Sequence, residues 1–446
     1  MIDTERSIVM RTVGLYTLGC KVSQYETEAV AEQFEKYGYT VCPFNQKNDV
    51  YVINTCTVTS ESDRKSRQVI RRAVSQNPNG VVIVMGCYSQ RSAEEVASIA
   101  GVSAVIGTEN KLSCPDIAQK ILGGEDKSIT LPIIINTDVF KADFEQMTIT
   151  RAPRTRAYVK IEDGCDSKCS YCAISMARGR IRSKKKEDVI KEIEILAKAG
   201  TREIVLTGIE TAAYGKDFSE KYTLAALIRD LSQRNVCKRI RLGSLAPELI
   251  DEEFIEAAAD SPIFAPHFHI SIQSGSDAVL RSMKRRYNSK KAMEIIQKIR
   301  SRIPRATFTT DLMVGFPAET EEDFLATMEF VKEARFLDAH VFQYSRREGT
   351  PAASYPMQIK ENEKRKRSER LISLKNEVRD SVLSGILQSG DVLSVIAETK
   401  TGELWSAHSD TYVEVNFPSQ CDSLGGEMLN VRPVSHKNGI MYCEIV

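Results

Sequence analysis

The stretch Ile161-Glu162-Asp163-Gly164-Cys165-Asp166-Ser167-Lys168-Cys169-Ser170-Tyr171-Cys172 contains three thiols within eight positions. A cysteine in a protein core is usually an isolated small hydrophobe. Cys165, Cys169 and Cys172, here called the loop triad, are instead separated by polar residues, which is typical of a solvated loop. Thiols at close spacing in a loop usually bind iron or zinc. The stretch therefore predicts a metal centre.

The loop triad favours an iron-sulfur cluster over zinc. A structural zinc site needs four protein ligands, and the next histidine after this loop is His267. Three thiolates suit a 4Fe-4S cubane that leaves one iron open. Zinc and incidental cysteines are the two alternatives. The C-x3-C-x2-C spacing, with Tyr171 before the last cysteine, resembles the signature of the radical S-adenosylmethionine enzymes.

Length and composition predict a multidomain protein of the cytoplasm. A chain of 446 residues suggests two or three domains. Its apolar runs, such as residues 81–85, are far shorter than the roughly 20 residues of a membrane helix. Asp3, Glu5 and Arg6 precede any apolar stretch, so the order of a secretory signal is lacking. In a reducing cytoplasm, eleven cysteines favour metal or redox chemistry over disulfides.

A second set of thiols follows predicted strands in the amino-terminal third. Strands at residues 13–18, 49–55 and 81–85 are followed by Cys20, Cys56 and Cys87, here called the strand-end triad. Ser23 and Glu26 resemble a capping box at the start of the helix after Cys20. Carboxyl ends of parallel strands line one edge of a sheet, so we expect the three thiols to converge. The pattern alone leaves open a second cluster or buried structural thiols. Five further cysteines are predicted to be structural: Cys42, Cys114, Cys237, Cys421 and Cys443.

The middle of the chain alternates strand and helix patterns, which predicts a parallel sheet curved into a partial TIM-like (β/α)6 barrel. Residues 125–150 are interpreted as a connection. The predicted strands are 158–161, 203–206, 239–242, 267–272, 307–314 and 339–344. Glycine and polar residues at their carboxyl ends are either turn and cap residues or ligands for a cofactor. They are Gly208, Glu210, Ser271, Gln273, Ser274 and Asp311.

The carboxyl end changes from a basic helix, residues 360–386, to short strands with glycine turns. Strands at 392–399, 404–407, 411–417 and 441–446 predict a small β-barrel. The predicted fold class is α/β. It has an open α/β sheet domain at residues 1–125, the (β/α)6 barrel at 150–376 and the small β-barrel at 380–446.

Three segments resemble the amino-terminal domain of the radical S-adenosylmethionine methylthiotransferases: residues 17–22 (TLGCKV), 53–59 (INTCTVT) and 86–88 (GCY). The resemblance implies that the strand-end triad holds an auxiliary 4Fe-4S cluster. It also implies that the polar strand-end residues of the barrel bind S-adenosylmethionine. The small β-barrel resembles a TRAM domain, although acidic residues outnumber basic ones in it.

Residues 17–28 and 49–73, the latter including 63–72 (DRKSRQVIRR), most resemble the branch that acts on N6-threonylcarbamoyladenosine beside the tRNA anticodon. The implied reaction uses an electron, supplied by a donor protein, to cleave S-adenosylmethionine to a deoxyadenosyl radical, and the auxiliary cluster supplies the sulfur. The alternatives are the isopentenyladenosine branch, a methylthiotransferase of a ribosomal protein, a radical tRNA modifier without sulfur insertion, and a redox or RNA-binding protein without catalysis.

Basic residues are clustered although the net charge is only +1. Clusters lie at residues 64–72, 178–186, 281–286 and 364–370. Each cluster alone is interpreted as a solvated face, but their recurrence favours a polyanionic partner. Arg64, Arg67 and Arg71 are three and four positions apart, which predicts one helix face after Cys56 that contacts tRNA phosphates.

Overall fold

The computed structural model describes residues 10–123 and 132–446. The chain divides into two compact units. Unit 1 contains Met1–Ile149 and Ala173–Arg180, and unit 2 contains Thr150–Cys172 and Ile181–Val446. The amino-terminal residues Asp3, Glu5 and Arg6 lie outside the described residues. Among the helices of the described ranges, none has an apolar stretch long enough to span a bilayer.

Unit 1 is built on a parallel sheet with the strand order β2-β1-β3-β4-β5-β6. Every residue of its central strands, VYVINT and VVIVMG, is buried. Such continuous apolar runs are typical of a parallel sheet that is covered on both faces. The strands are β1 (Thr12–Thr17), β2 (Thr40–Cys42), β3 (Val50–Thr55), β4 (Val81–Gly86), β5 (Ala104–Ile106) and β6 (Ile133–Ile135).

Helices cover both faces of this sheet. Alternate residues of β3 point to opposite sides: Val52 belongs to the core under α1 and α5, and Ile53 to the core under α2 and α4. The helices of unit 1 are α1 (Lys21–Lys36), α2 (Ser60–Gln76), α3 (Cys87–Arg91), α4 (Ala93–Ala97), α5 (Cys114–Gly123) and α6 (Ile174–Arg178), with a 3-10 turn at Lys111–Ser113.

Two sequence predictions for unit 1 were wrong. Residues 133–135, assigned to a connection, form the edge strand β6 beside β5; three residues are too few to show a strand period. Ser23 and Glu26 do not cap α1, because the chain turns at Gly19, with φ +127°, and Cys20 is already the N-cap. Both residues therefore lie inside the helix.

Unit 2 contains the predicted partial barrel. Strands β7, β10 and β11 are hydrogen-bonded neighbours, as are β12, β13, β14 and β15. Strands β11 and β12 are separated only by Gly243, where a Cβ would lie 3.0 Å from Thr211 Oγ1. The strands are β7 (Arg156–Lys160), β8 (Glu162–Asp163), β9 (Arg182–Ser183), β10 (Glu203–Thr207), β11 (Arg239–Leu242), β12 (Ser244–Leu245), β13 (His267–Ile270), β14 (Thr307–Val314) and β15 (Asp338–Gln343).

Most of the helices that alternate with these strands are preceded by an N-cap residue whose side chain accepts a hydrogen bond from the helix backbone. Thr223, Asp251, Ser276, Asn288 and Thr320 each accept a hydrogen bond from a backbone N–H of the first turn. The helices are α7 (Lys186–Lys198), α8 (Leu224–Arg234), α9 (Glu252–Asp260), α10 (Asp277–Ser282), α11 (Ser289–Arg302), α12 (Glu321–Ala334) and α13 (Glu361–Ser389), with 3-10 turns at Thr211–Ala213, Pro247–Leu249 and Pro351–Ser354.

The carboxyl-terminal strands form a closed barrel in the order β16-β17-β18-β20-β19. They are β16 (Leu393–Thr401), β17 (Leu404–Ser409), β18 (Glu414–Pro418), β19 (Met428–Lys437) and β20 (Ile440–Ile445). Strand β19 was not predicted, because polar and charged residues interrupt the apolar residues of its sequence, MLNVRPVSHK. The predicted fold class, α/β with a small carboxyl-terminal β-barrel, is confirmed.

Candidate functional site

The loop triad follows β7 in unit 2, at the carboxyl end of the barrel strands. Cys169 is buried, whereas Cys165 and Cys172 are half-buried. The Cys169 sulfur accepts a hydrogen bond from Arg285 Nη1 at 3.3 Å, and the Cys165 sulfur accepts one from the Ser167 amide at 3.4 Å. N–H···S hydrogen bonds of this kind stabilise thiolates that bind iron.

Gly208 and Glu210 lie beside Glu162, close to the loop triad. The Glu210 amide donates to Glu162 Oε2 at 2.8 Å, and a Cβ on Gly208 would lie 2.5 Å from the same oxygen. A side chain at position 208 would therefore displace the Glu162 carboxyl. Burial raises the pKa of the Glu210 carboxyl to about 7. Near neutral pH this carboxyl can either donate or accept a hydrogen bond.

The next strand ends bring Ser271, Gln273 and Asp311 to the same part of the barrel. Gln273 has φ +68°, and its amide donates to the Asp311 carbonyl at 2.8 Å. Asp311 Oδ2 lies 3.3 Å from His269 Nε2. The backbone carbonyl oxygen of Ser271 accepts hydrogen bonds from Arg285 Nη2 and from the Tyr287 hydroxyl, each at 3.0 Å. These three residues are thus brought together, as expected from their places at strand ends.

Ser274 lies in the turn that follows β13. It is fully buried, and its hydroxyl lies 3.1 Å from Thr327 Oγ1 and accepts a hydrogen bond from the Ser276 amide. The side chain therefore holds the turn against α12. The assignment of Ser274 to cofactor binding stays a prediction.

Arg285 and Tyr287 are functional candidates that the sequence analysis missed. Besides Cys169, Arg285 contacts the Ser271 carbonyl at 3.0 Å and the Tyr287 hydroxyl at 3.1 Å. Tyr287 in turn donates to the Ile272 carbonyl at 2.6 Å. In the sequence Arg285 belongs to a basic cluster interpreted as solvated, and no local signal distinguishes it from Arg281 or Arg286.

The strand-end triad lies at the carboxyl ends of three adjacent parallel strands of unit 1. Cys20 is the N-cap of α1, Cys56 directly follows β3, and Cys87 begins α3. The three thiols are close enough for the pKa of Cys87 to be raised by both of the others, after the larger effect of burial. A Cβ on Gly19 would lie 3.5 Å from the Cys56 sulfur. The predicted convergence of the triad therefore occurs in the structure.

Buried charges surround the Cys87 side of this triad. Arg178, at the end of α6, donates from Nε to the Cys87 sulfur at 3.2 Å. The same guanidinium contacts both carboxylate oxygens of Glu26, at 2.5 and 3.2 Å. Lys111 Nζ lies 3.3 Å from Glu26 and 3.2 Å from Glu145. A cation that donates a hydrogen bond to a sulfur favours the thiolate, so the contact of Arg178 with Cys87 suits a cysteine that binds metal.

Each triad supplies three thiols, which suits an iron-sulfur cluster that is bound through three of its irons. Within residues 10–123 and 132–446, no three His, Cys, Asp or Glu side chains are close enough to hold one metal ion. A cubane binds each thiolate through a different iron. Burial raises the pKa of Cys87 and of Cys165 to about 12. Binding of iron as thiolate would release these protons.

The basic residues separate into exposed and buried sets. On α2, Arg64 is exposed and pairs with Glu61 at 2.5 Å, Arg67 is half-buried against Glu95 at 3.0 Å, and Arg71 is exposed. Exposed pairs of this kind are worth about 0–1 kcal/mol, so such arginines can still bind an anion.

Two other basic clusters are only partly solvated, because each contains buried as well as exposed cations, and this corrects the sequence interpretation. Arg178, Arg182 and Lys184 are buried, as are Lys364 and Arg367. Lys184 pairs with Glu192 at 2.5 Å, and Arg367 with Glu319 at 2.6 Å. The sequence could not show that distant carboxylates reach these cations. We therefore exclude the buried residues of both clusters from the phosphate-binding surface.

Comparisons with known proteins identify related families and a related fold. Residues 159–331 match the Radical SAM superfamily, and residues 12–107 match a family described as Uncharacterized protein family UPF0004. A solved radical S-adenosylmethionine methyltransferase, TsrM from Kitasatospora setae, is similar with a TM-score of 0.57 at 17% identity, over 77% of each chain. At that identity the similarity shows the fold alone. The partial barrel, its loop of three thiols and the family match together define the class of this protein as a radical S-adenosylmethionine protein.

Similarity to curated proteins narrows this class. The chain is 42% identical to the threonylcarbamoyladenosine tRNA methylthiotransferase MtaB of Bacillus subtilis, over 93% of this chain and 92% of that one. It is 39% identical to the protein of the same name from Thermotoga maritima, over 97% of each. It is 34% identical to a tRNA-2-methylthio-N(6)-dimethylallyladenosine synthase of Thermoanaerobacter sp., over 96% and 92%.

The chain belongs to the radical S-adenosylmethionine methylthiotransferase family. It is accordingly an enzyme that transfers a sulfur-containing group, and a 4Fe-4S cluster and S-adenosylmethionine are the cofactors of its superfamily.

Proposed function

We propose that this enzyme inserts a methylthio group at C2 of N6-threonylcarbamoyladenosine at position 37 of tRNA, next to the anticodon. The observation that carries the proposal is the convergence of a second set of three thiols, the strand-end triad, in a chain that also has the loop triad. Similarity to the Bacillus subtilis and Thermotoga maritima proteins over nearly the whole chain supports the choice of substrate.

We assign a separate 4Fe-4S cluster to each triad. The loop triad would hold the cluster at which S-adenosylmethionine binds, and Gly208, Glu210, Ser271, Gln273 and Asp311 would surround that cofactor. Together the cluster and S-adenosylmethionine supply one-electron chemistry that activates a C–H bond, which no side-chain acid or base could do at a useful rate. The strand-end triad would hold the cluster that carries the transferred sulfur.

We assign a task to each of the groups that would surround S-adenosylmethionine. The turn at Gln273 places the backbone of that residue beside Asp311. Arg285 donates one hydrogen bond to the Ser271 carbonyl and another to the Cys169 sulfur, the latter at 3.3 Å. Gly208 leaves room for the Glu162 carboxyl. Glu210, whose pKa is raised to about 7 by burial, can exchange a proton with a bound polar group near neutral pH.

We further propose the partners and the division of labour. Arg64, Arg67 and Arg71 on α2 would contact tRNA phosphates, and a separate protein would donate the electron. The domains would extend over residues 1–125, 150–376 and 380–446, the last as a TRAM-like module, and the enzyme would work in the cytoplasm.

Nucleoside analysis of tRNA tests this function. A strain without the gene is expected to accumulate N6-threonylcarbamoyladenosine and to lack its 2-methylthio form. The wild-type gene should restore the product, whereas a gene with Cys56→Ala should not. Loss of 2-methylthio-isopentenyladenosine, or of a modification on a ribosomal protein, would refute the proposed substrate and support the corresponding alternative.

A further inference from the structure

One sulfur of the strand-end triad faces a fully buried guanidinium. Cys87 is 5% exposed and Arg178 is 0% exposed. Arg178 Nε donates to the Cys87 sulfur at 3.2 Å, although the two residues are 91 positions apart. A buried cation is costly unless its partners are fixed, so this contact requires an explanation.

Glu26 fixes the orientation of this guanidinium. Its two carboxylate oxygens accept from Nη1 and Nη2 of Arg178 at 2.5 and 3.2 Å, which is a bidentate pair. Because the two terminal nitrogens are engaged, Nε is left to face the sulfur. Glu26 is itself held by Lys111 at 3.3 Å.

The segment that carries Arg178 is anchored within unit 1. Ala177 accepts a hydrogen bond through its carbonyl from Thr108 Oγ1 at 2.8 Å. The next residue after Arg178, Gly179, has φ +72°, and a Cβ there would lie 2.2 Å from the Val139 carbonyl oxygen. The backbone on both sides of Arg178 is therefore closely packed, which leaves the guanidinium little freedom.

We propose that Arg178 is a positioning residue for the cluster of the strand-end triad, and that its directed N–H···S hydrogen bond to Cys87 raises the reduction potential of that cluster. This role rests on the proposed second cluster. Hydrogen bonds to cluster sulfurs and nearby charge set the potential of iron-sulfur centres. Reduction adds negative charge, and a cationic donor in a low-dielectric site favours the more negative state.

A purely structural role for Arg178 makes a different prediction. If the guanidinium served only to neutralise Glu26, a lysine at position 178 could replace it, and the potential would not change. A lysine keeps the charge and the pair with Glu26 but lacks the planar fork that aims Nε at the sulfur. The conservative variant Arg178→Lys therefore separates the two roles.

The test measures the midpoint potential of the second cluster alone. In the full-length chain, the loop triad is replaced by alanine so that only the strand-end cluster assembles, and Arg178→Gln and Arg178→Lys are added separately. Redox titration followed by electron paramagnetic resonance gives the potential. We expect Arg178→Gln to make reduction at least about tenfold less favourable, which is about 59 mV for one electron. Arg178→Lys should shift the potential in the same direction by less.

Arg72→Gln is the matched control, because Arg72 is an exposed arginine of unit 1 that stacks over Tyr16 with its guanidinium 5.2 Å from the ring centre. It should leave the potential unchanged. An Arg178→Gln cluster with the parent potential would overturn the proposal. If Arg178→Gln fails to assemble iron, an unchanged potential in Arg178→Lys would overturn it instead. A parent without iron would refute the second cluster itself, and this role with it.

Discussion

The substitution Glu203→Gln is expected to destabilise unit 2 strongly. Glu203 begins β10 and is fully buried among three arginines. Its carboxylate contacts Arg156 at 3.1 Å, Arg239 at 3.1 Å, and Arg241 at 2.9 and 3.2 Å. One buried carboxylate thus helps to compensate three cations.

The three cations also join the partial barrel to the carboxyl-terminal barrel. Arg239 donates to Ser394 Oγ at 2.7 Å, Arg241 donates to the Ser409 carbonyl at 2.9 Å, and Arg156 pairs with Glu398 at 2.5 Å. Removal of one partner from a buried ion pair costs about 3–5 kcal/mol, because an uncompensated charge is left behind. The corresponding fall in melting temperature is roughly 5–8 °C for a unit as large as unit 2, at about 2.1 cal/mol/K of unfolding entropy per residue.

Urea denaturation followed by tryptophan fluorescence measures this loss. The chain has one tryptophan, and that residue, Trp405, is 4% exposed inside the carboxyl-terminal barrel. Its fluorescence therefore reports unfolding on the side of the joint opposite to Glu203. The urea midpoint of Glu203→Gln should fall while the slope of the transition stays near that of the wild type.

Glu427→Gln is the matched control, because Glu427 pairs with Arg202 at 3.4 Å across the same joint but on its exposed side. Exposed pairs contribute about 0–1 kcal/mol, so this variant should unfold close to the wild type. Equal destabilisation by the two substitutions would show that the buried carboxylate does not hold the joint.

The same carboxylate predicts a dependence on pH. Burial alone would raise the pKa of Glu203, but attraction to Arg241, Arg156 and Arg239 outweighs it and holds the pKa well below the ordinary value. The ordinary glutamate pKa is about 4.3. A carboxyl group whose pKa is lower in the folded state stabilises the folded protein at pH values above its unfolded-state pKa. This contribution is lost as the pH falls. The stability difference between wild type and Glu203→Gln should be constant above about pH 5 and should narrow below it.

Three further predictions concern the clusters and tRNA. Anaerobically reconstituted protein should bind about eight irons, and replacement of the loop triad by alanine should remove about half of them; loss of all iron would contradict two independent sites. Replacement of the strand-end triad by alanine should abolish the methylthio product while cleavage of S-adenosylmethionine continues, and retained product would refute its role as sulfur carrier. Neutralisation of Arg64, Arg67 and Arg71 to glutamine should weaken tRNA binding and reduce its log-log salt slope by about 0.7–0.9 for each phosphate that the variant no longer neutralises, with iron content unchanged; an unaltered slope would show that α2 does not bind tRNA.

A feature could be predicted when the residues that define it lie close together in the sequence. The loop triad is a local pattern of eight positions. The strand-end triad could be predicted because each of its cysteines follows a short apolar run that is typical of a strand. By contrast, Arg178 and Arg285 reach sulfurs 91 and 116 positions away. In sequence both belong to basic runs that are indistinguishable from solvated faces.

Local misassignments have a similar cause. Ser23 and Glu26 have the spacing of a capping box, but the preceding strand ends so close to Cys20 that the helix starts before them. Residues 133–135 were assigned to a connection, yet pairing with β5 makes them the edge strand β6. In each case the tertiary neighbours, and not the residue type, decide the local structure.

The α/β class, the order of the barrel strands and the two sets of three cysteines could all be predicted from the amino-acid sequence, because periodicity and spacing act over a few residues. The buried cations and their partners became visible only in the folded chain: Arg178 faces Cys87, Arg285 faces Cys169, and three arginines face Glu203. A buried charge is stable only with partners that the fold brings to it, and those partners are distant in the chain.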